Sequence, residues 1–222
     1  MKLSVNTLEI LKNYATFNTG IFFRKGNLLR SLSTGKTVLA EATIDETIPA
    51  DFCVYELNQL LGILSLSKGS PEWTLRGNDI VIEGLDGRSK ITYRCCNETN
   101  IKTPPEKNIE LLTSDATFLL TEVDYNWIMR SASVLGSPNI TVEGVDGFIS
   151  LRAMDAQDDS AHTDTIQICP HTGDDFHFLF KTANWVMMPG SYTVTISSKN
   201  AAHFSNTSRK LQYWVALEKR TK

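Results

Sequence analysis

Ser4-Val5-Asn6-Thr7-Leu8-Glu9-Ile10-Leu11-Lys12-Asn13-Tyr14-Ala15-Thr16 is the stretch from which the fold is read. Leu8, Leu11 and Ala15 fall on one stripe of a helix over 4–16, with Ile10 and Tyr14 beside it. Glu9, Lys12, Asn13 and Thr16 recur on the opposite, polar face. Outward from this helix, hairpin-like strands are expected at Ile21–Phe23 and 28–32, around Lys25-Gly26-Asn27, then strands at 37–44 and 52–55. A second helix over 56–66 carries Leu57, Leu60, Leu61 and Leu64 on its apolar face, and strands at 73–75, 80–83 and Lys90–Arg94 close the unit.

The second half repeats this order. Glu122–Leu135 reads as a helix with a polar stripe of Asn126, Arg130 and Ser133. Strands follow at 140–143, 148–153, 163–169 and 176–180, then a short helix over 182–188 that Pro189-Gly190 stops, then strands at 192–197, 202–205 and 211–217. One unit written twice implies an α+β fold of two similar domains, 1–96 and 115–222, each with two helices on antiparallel sheets. Residues 97–114, stiffened by Pro104-Pro105, read as an extended connector. Asp86-Gly87 and Asp146-Gly147 are both read as hairpin turns.

Hydrophobic residues make up 41% and charged residues 21%, an ordinary globular balance. No signal-like run follows Met1, and no eighteen apolar residues are consecutive, so a soluble, intracellular chain with no membrane role is expected. Cys53, Cys95, Cys96 and Cys169 form no disulfide framework and are expected as thiols. The formal charge of −3 lacks the basic surplus of a protein that holds nucleic acid by phosphate affinity. Contact with DNA would need a local basic surface, or retention by something other than affinity.

Motifs for chemistry fall short. Ser33-Thr34-Gly35-Lys36-Thr37 resembles the end of a phosphate loop, but Arg30 stands where the first glycine belongs and a strand follows. Cys169, His171 and His177 lack the convergent spacing of a metal site, and Asp155, Asp158 and Asp159 lack a calcium loop's glycine and terminal glutamate. No nucleophile context, metal or cofactor is expected, and the chain reads as a non-enzyme. Cations are more telling. Lys12 and Arg130 sit on the first helix of each unit, Lys68 follows the second helix of the first, and Lys181 opens its counterpart. If the helices share one face, these four gather there.

Met1-Lys2-Leu3-Ser4, Leu11-Lys12-Asn13-Tyr14-Ala15-Thr16, Asn18-Thr19-Gly20-Ile21, Tyr55-Glu56-Leu57-Asn58, Leu61-Gly62-Ile63-Leu64-Ser65-Leu66, Met188-Pro189-Gly190-Ser191-Tyr192 and Val215-Ala216-Leu217 closely resemble the DNA sliding clamps of T-even-like tailed phages. Leu211-Gln212-Tyr213-Trp214-Val215-Ala216 is more distantly similar to the closing strand of the proliferating cell nuclear antigen family. The resemblance implies a homotrimeric ring around double-stranded DNA, loaded by a clamp-loader ATPase in the cytoplasm of an infected host cell. It also implies tethering of the replicative DNA polymerase, and contact with late-transcription factors. Lys12 and Arg130, and with them Lys68 and Lys181, would face DNA. The partner pocket would draw on Leu32, Leu39, Leu111, Leu112, Trp214, Val215 and Ala216. Lys90, Ile91, Thr92, Tyr93 and Arg94 would meet Thr165, Ile166, Gln167 and Ile168 of the next subunit. Two rivals stand beside this: a β-rich trimeric virion structural protein, and a small hydrolase built on 155–177.

Overall fold

The computed structural model describes residues 1–66, 72–83, 88–107, 109–199 and 201–218. The chain divides into two compact units, Met1–Lys107 and Asn108–Lys222, and the division falls inside the stretch expected to be a connector.

The first unit runs α1 (Val5–Tyr14), β1 (Ile21–Phe23), β2 (Gly26–Leu32), β3 (Val38–Ile48), β4 (Phe52–Val54), α2 (Leu57–Ser65), β5 (Trp73–Arg76), β6 (Asp79–Glu83) and β7 (Lys90–Arg94). Ser4 caps α1 by accepting from the Thr7 N–H at 3.2 Å. The helix buries Thr7, Ile10, Leu11 and Tyr14, so its apolar stripe is turned from the expected one, and Leu8 and Ala15 are only half-covered. Glu46 of β3 causes the turn, since it accepts from the Thr7 hydroxyl at 2.6 Å and from the Ser4 N–H. Burial opposes the charge on Glu46, but these hydrogen bonds outweigh it and hold the carboxyl below its usual range. Each of the large side chains α1 buries stabilises the unit by about 1.5–3 kcal/mol.

The hairpin expected between β1 and β2 does not form. β1 pairs with β4, and β2 pairs with β3. Gly26, at φ 119°, starts β2 after the Lys25 N–H has donated to Asp51 at 2.6 Å, which turns the chain away. Ser33 to Thr37 is the β2–β3 turn, its Ser33 hydroxyl accepting from the Thr37 and Val38 N–H groups at 3.0 Å each. β5, β6 and β7 form a separate antiparallel sheet with β7 at its edge.

The second unit opens with a strand that periodicity missed, β8 (Ala116–Leu120). It continues with α3 (Glu122–Leu135), β9 (Asn139–Val145), β10 (Phe148–Met154), β11 (Asp164–Pro170), β12 (Phe176–Lys181), β13 (Tyr192–Ile196), β14 (Ala201–Asn206) and β15 (Leu211–Ala216). One sheet has the order β11-β10-β9-β12, and in another β8, β13, β14 and β15 pair in succession. Asp146 and Gly147, at φ 53° and 80°, make the two-residue β9–β10 turn as expected. Asp86-Gly87 lies outside the described residues.

The helix expected over 182–188 is replaced by one 3-10 turn, Thr182–Asn184. Its cause is visible in the hydrogen bonds. The Tyr125 hydroxyl donates to the Trp185 and Met187 carbonyls at 3.2 and 2.9 Å, and the Tyr192 hydroxyl donates to the Met188 carbonyl at 2.5 Å. The Met188 N–H donates to the Tyr213 hydroxyl at 3.3 Å. With Trp185, Met187 and Met188 all buried, the segment passes through the core and cannot present a polar helix face. No helix among the described residues is long and apolar enough to cross a membrane.

Candidate functional site: helix faces and strand edges

α1 and α3 are each followed by a run of four strands and show similar exposed faces. On α1, Val5, Glu9 and Lys12 are exposed along one stripe; on α3, Val123, Trp127, Arg130 and Val134 are. Lys12 and Arg130 each lie two helical turns on from the valine that begins their stripe. Both project into solvent with no ion pair among the described residues. Lys181 is exposed too, at the end of β12, but its ammonium lies 3.5 Å from Glu218 and its charge is largely answered there. Lys68 lies outside the described residues, as does the basic tail 219–222.

The two expected subunit strands prove to be sheet edges. β7 ends the order β5-β6-β7 and β11 ends the order β11-β10-β9-β12, so each leaves one side of its backbone without a ladder partner in its sheet. Thr165 and Gln167 are exposed, while Ile166 and Ile168 are half-buried; on β7, Lys90, Thr92 and Arg94 are exposed, Ile91 half-buried and Tyr93 buried. Ile91 and Tyr93 lie opposite Ile82 and Ile80, and Ile166 lies opposite Leu151. Each edge therefore carries its apolar residues on its sheet's buried face.

The residues expected to form a partner pocket divide by burial. Val215 is fully buried and belongs to the core, where it stands opposite Ala202. Trp214 and Ala216 lie on the other face of β15; Trp214 is 7% exposed and stacks on His203 with ring centroids 4.8 Å apart. Leu39 is 2% exposed, Leu32 and Leu111 are half-covered, and Leu112 is 69% exposed. Leu32 stands directly opposite Leu39, on the face that also carries Arg30 and Glu41.

That face shows a feature the sequence did not reveal. Arg30 and Glu41 pair at 3.0 Å with both side chains nearly covered, and the Arg30 guanidinium also donates to the Pro105 and Glu106 carbonyls at 2.7 and 3.2 Å. Arg24 meets the Glu106 carboxylate at 3.2 Å, and Lys102 donates to the Thr34 carbonyl. Residues 102–106 are thus tied to Arg24, to Arg30 of β2 and to Thr34 in the β2–β3 turn, all far away in sequence. No local pattern marks Arg30 for this.

Chemistry finds no footing at the histidines. His171 Nε2 lies 3.0 Å from the Asp174 carbonyl and its ring packs on Phe176, so it braces its own loop. His177 lies 3.6 Å from Glu143 on the β12–β9 pair. Burial pushes the Cys169 thiol up, away from the thiolate a nucleophile needs. Among the described residues, no group of three or more His, Cys, Asp or Glu could hold a metal.

The sequence pattern of the DNA polymerase processivity factor family matches residues 4–94. The sliding clamp of Vibrio phage KVP40 is 31% identical, covering 98% of this chain and 99% of its own. The sliding clamp of Enterobacteria phage T4 is also 31% identical, covering 98% of this chain and 97% of its own. Among solved structures, Proliferating Cellular Nuclear Antigen from Entamoeba histolytica has a TM-score of 0.68 at 12% identity, over 96% of this chain and 95% of that one. The PCNA2-PCNA3 complex from Sulfolobus tokodaii has a chain with a TM-score of 0.69 at 14% identity, over 98% and 99%. These two establish likeness of fold. The identity to the phage proteins spans nearly the whole of both chains, and on that ground this chain belongs to the sliding clamp family.

Proposed function

We propose that three copies of the chain close into a ring around duplex DNA and tether the replicative polymerase, without catalysis of their own. One observation carries this reading: each unit ends a sheet on a free edge with its apolar residues on the buried face. Pairing β7 of one copy with β11 of the next satisfies both edges and continues the buried face through Ile91, Tyr93, Ile166 and Ile168. Such a contact is head-to-tail, and a head-to-tail contact repeats until it closes.

The charge fits a ring. A protein of formal charge −3 gains little from phosphate neutralisation, but enclosure needs no affinity. Lys12 and Arg130 on the helix faces supply weak, sequence-blind contacts that allow sliding. Tethering raises the effective concentration of polymerase at its primer end by ~100-fold or more without new DNA contacts. Within the second unit, a partner's terminal peptide finds apolar footing at Leu112, and at Ala216 beside Trp214, rather than at the core residue Val215. Loading by an ATPase, contact with late-transcription factors and residence in the host cytoplasm belong to the same reading. The virion reading loses its ground, because the whole-length relatives are sliding clamps.

The test is the mass in solution. One chain weighs 24.8 kDa, and sedimentation should give three times that at high concentration. A chain that stays monomeric at every concentration contradicts the reading.

A further inference from the structure

We propose that Cys53 and Cys96 are a cross-strand dithiol, a modification site that a low-molecular-weight disulfide oxidises to a bridge between β4 and the start of 97–106. The site lies wholly within the first unit and does not depend on the ring.

β4 lies between two neighbours. On one side, Phe22 of β1 stands opposite Cys53. On the other, the chain leaving β7 makes a single antiparallel bridge that sets Cys96 opposite Cys53, and the Cys96 N–H donates to the Cys53 carbonyl at 2.9 Å. Directly opposed residues of an antiparallel pair project to the same side, with Cα atoms about 4.5 or 5.5 Å apart. Both spacings lie inside the roughly 4.4–6.8 Å that a disulfide spans.

Cys96 holds this place because the chain changes partner just before it. The Cys95 N–H still donates to the Asn78 carbonyl at 2.8 Å, next to the β6–β7 ladder. Side chains alternate along an extended chain, so Cys95 turns away from Cys53 toward Asp79, and the Ile80 N–H donates to its sulfur. Adjacent in sequence, the two cysteines thus face different strands. Among the charges that bear on Cys53, that of Cys96 stands first, ahead of Glu98 and Cys95.

These cysteines are free thiols. Burial holds Cys53 up at about 11 and raises Cys96 as well, so the pair is protonated near neutrality and reacts only with oxidant in excess. Cys53 is 4% exposed and Cys96 half-buried, which makes Cys96 the first to be reached. Cys96 gives its proton to solvent, and its thiolate attacks one sulfur of the reagent, forming a mixed disulfide and releasing one reagent thiolate. Cys53, deprotonated in turn, attacks Cys96 Sγ, forming the Cys53–Cys96 bond and expelling the second reagent thiolate. The protein loses two electrons and two protons, and the reagent disulfide becomes two thiols.

The bridge fixes one end of a segment whose other end is already held. Arg30 binds the Pro105 and Glu106 carbonyls, and Lys102 reaches the Thr34 carbonyl. Between these ties and Cys96, Ile101 lies so close over Gly20 that a Cβ there would stand 2.7 Å from Ile101 Cγ2. Oxidation therefore turns the near end, joined to β4 through a backbone hydrogen bond, into a covalent attachment.

The native protein is incubated with oxidised glutathione, its remaining thiols are blocked with N-ethylmaleimide in denaturant, and the digest is read by mass spectrometry. The Cys53 peptide should be joined to the Cys96 peptide, with Cys95 and Cys169 blocked, and fragmentation between residues 95 and 96 assigns the bridge. Cys95→Ser should still close it, and Cys96→Ser should not. The melting temperature should rise by roughly 5–15 °C, and amide exchange over 98–102 should slow ~tenfold or more, both reversed by dithiothreitol. A bridge to Cys95, glutathione left on Cys96, a link between copies, or four blocked cysteines would overturn the dithiol. These outcomes are read on the native protein, so they stand even where Cys96→Ser fails to fold. A bridge that leaves exchange over 98–102 unchanged would overturn the pinning of this segment.

Discussion

The segment after the fourth strand of each unit's helix-led run takes two forms. In the first unit, 57–65 is the helix α2; in the second, 182–188 holds one 3-10 turn and then a buried extended stretch. α2 buries Leu57, Leu60 and Leu64 and leaves its other side polar or bare, so its backbone bonds to itself. The later segment buries Trp185, Met187 and Met188, and tyrosine hydroxyls take its carbonyls. Where a segment keeps one wet face it can be a helix; where it is enclosed, its polar groups go to whichever side chains surround it.

Truncating the enclosed segment should have the largest effect. Trp185→Ala should cost about 3–5 kcal/mol, by the transfer and cavity terms together, and the denaturation midpoint measures it. Tyr125→Phe deletes one hydroxyl that serves two carbonyls and should cost about 1–3 kcal/mol, with little change in DNA retention.

Both units should lose stability in base, since burial also pushes the first unit's Cys53 and Cys95 thiols to about 11 and raises its Tyr93, and the first unit should loosen in acid as well. Burial pushes Tyr192 up to about 12 from an ordinary 10.0, and drives Tyr125 and Tyr213 higher still. A raised folded pKa gives stability that is complete below the unfolded value and lost as pH rises through the folded one. The second unit should therefore loosen from about pH 10 to 12, seen as exposure of the Trp185 indole. Glu46 in the first unit has a depressed pKa, so its contribution is present above the ordinary carboxyl range and lost as pH falls through the folded value. Hydrogen exchange at α1 should rise in acid, and Glu46→Gln should remove most of that dependence.

Smallest in stability is Gly62→Ala, which should strengthen α2 by about 0.5–1 kcal/mol; an unchanged melting temperature would mean that α2 is not limiting. Lys12→Glu with Arg130→Glu should leave stability and trimer mass unchanged yet reduce processive synthesis, and undiminished synthesis would remove these cations from the DNA face.

Much of this was legible in sequence where one segment decides its own fate. α3 spans the predicted Glu122–Leu135, and the structure shows Thr121 capping its start and Gly136, at φ 65°, stopping it. The first unit's element order was equally readable from periodicity. What escaped reading depends on distant partners. Adjacency predicts a β1–β2 hairpin, but Asp51 and β4 decide otherwise. β8 was hidden because Leu119, 53% exposed, blurs the alternation of Ala116, Phe118 and Leu120. The edge positions of β7 and β11 could be expected only from resemblance. The anchoring of 102–106 by Arg30 gave no sign at all.

Enclosure of DNA is tested most directly by retention on a circle. Protein loaded with a loader ATPase and ATP onto primed circular DNA should stay bound through a high-salt wash and leave when the circle is cut once. Loss from the intact circle in salt, or retention after the cut, would mean that it is held by affinity and not by a closed ring.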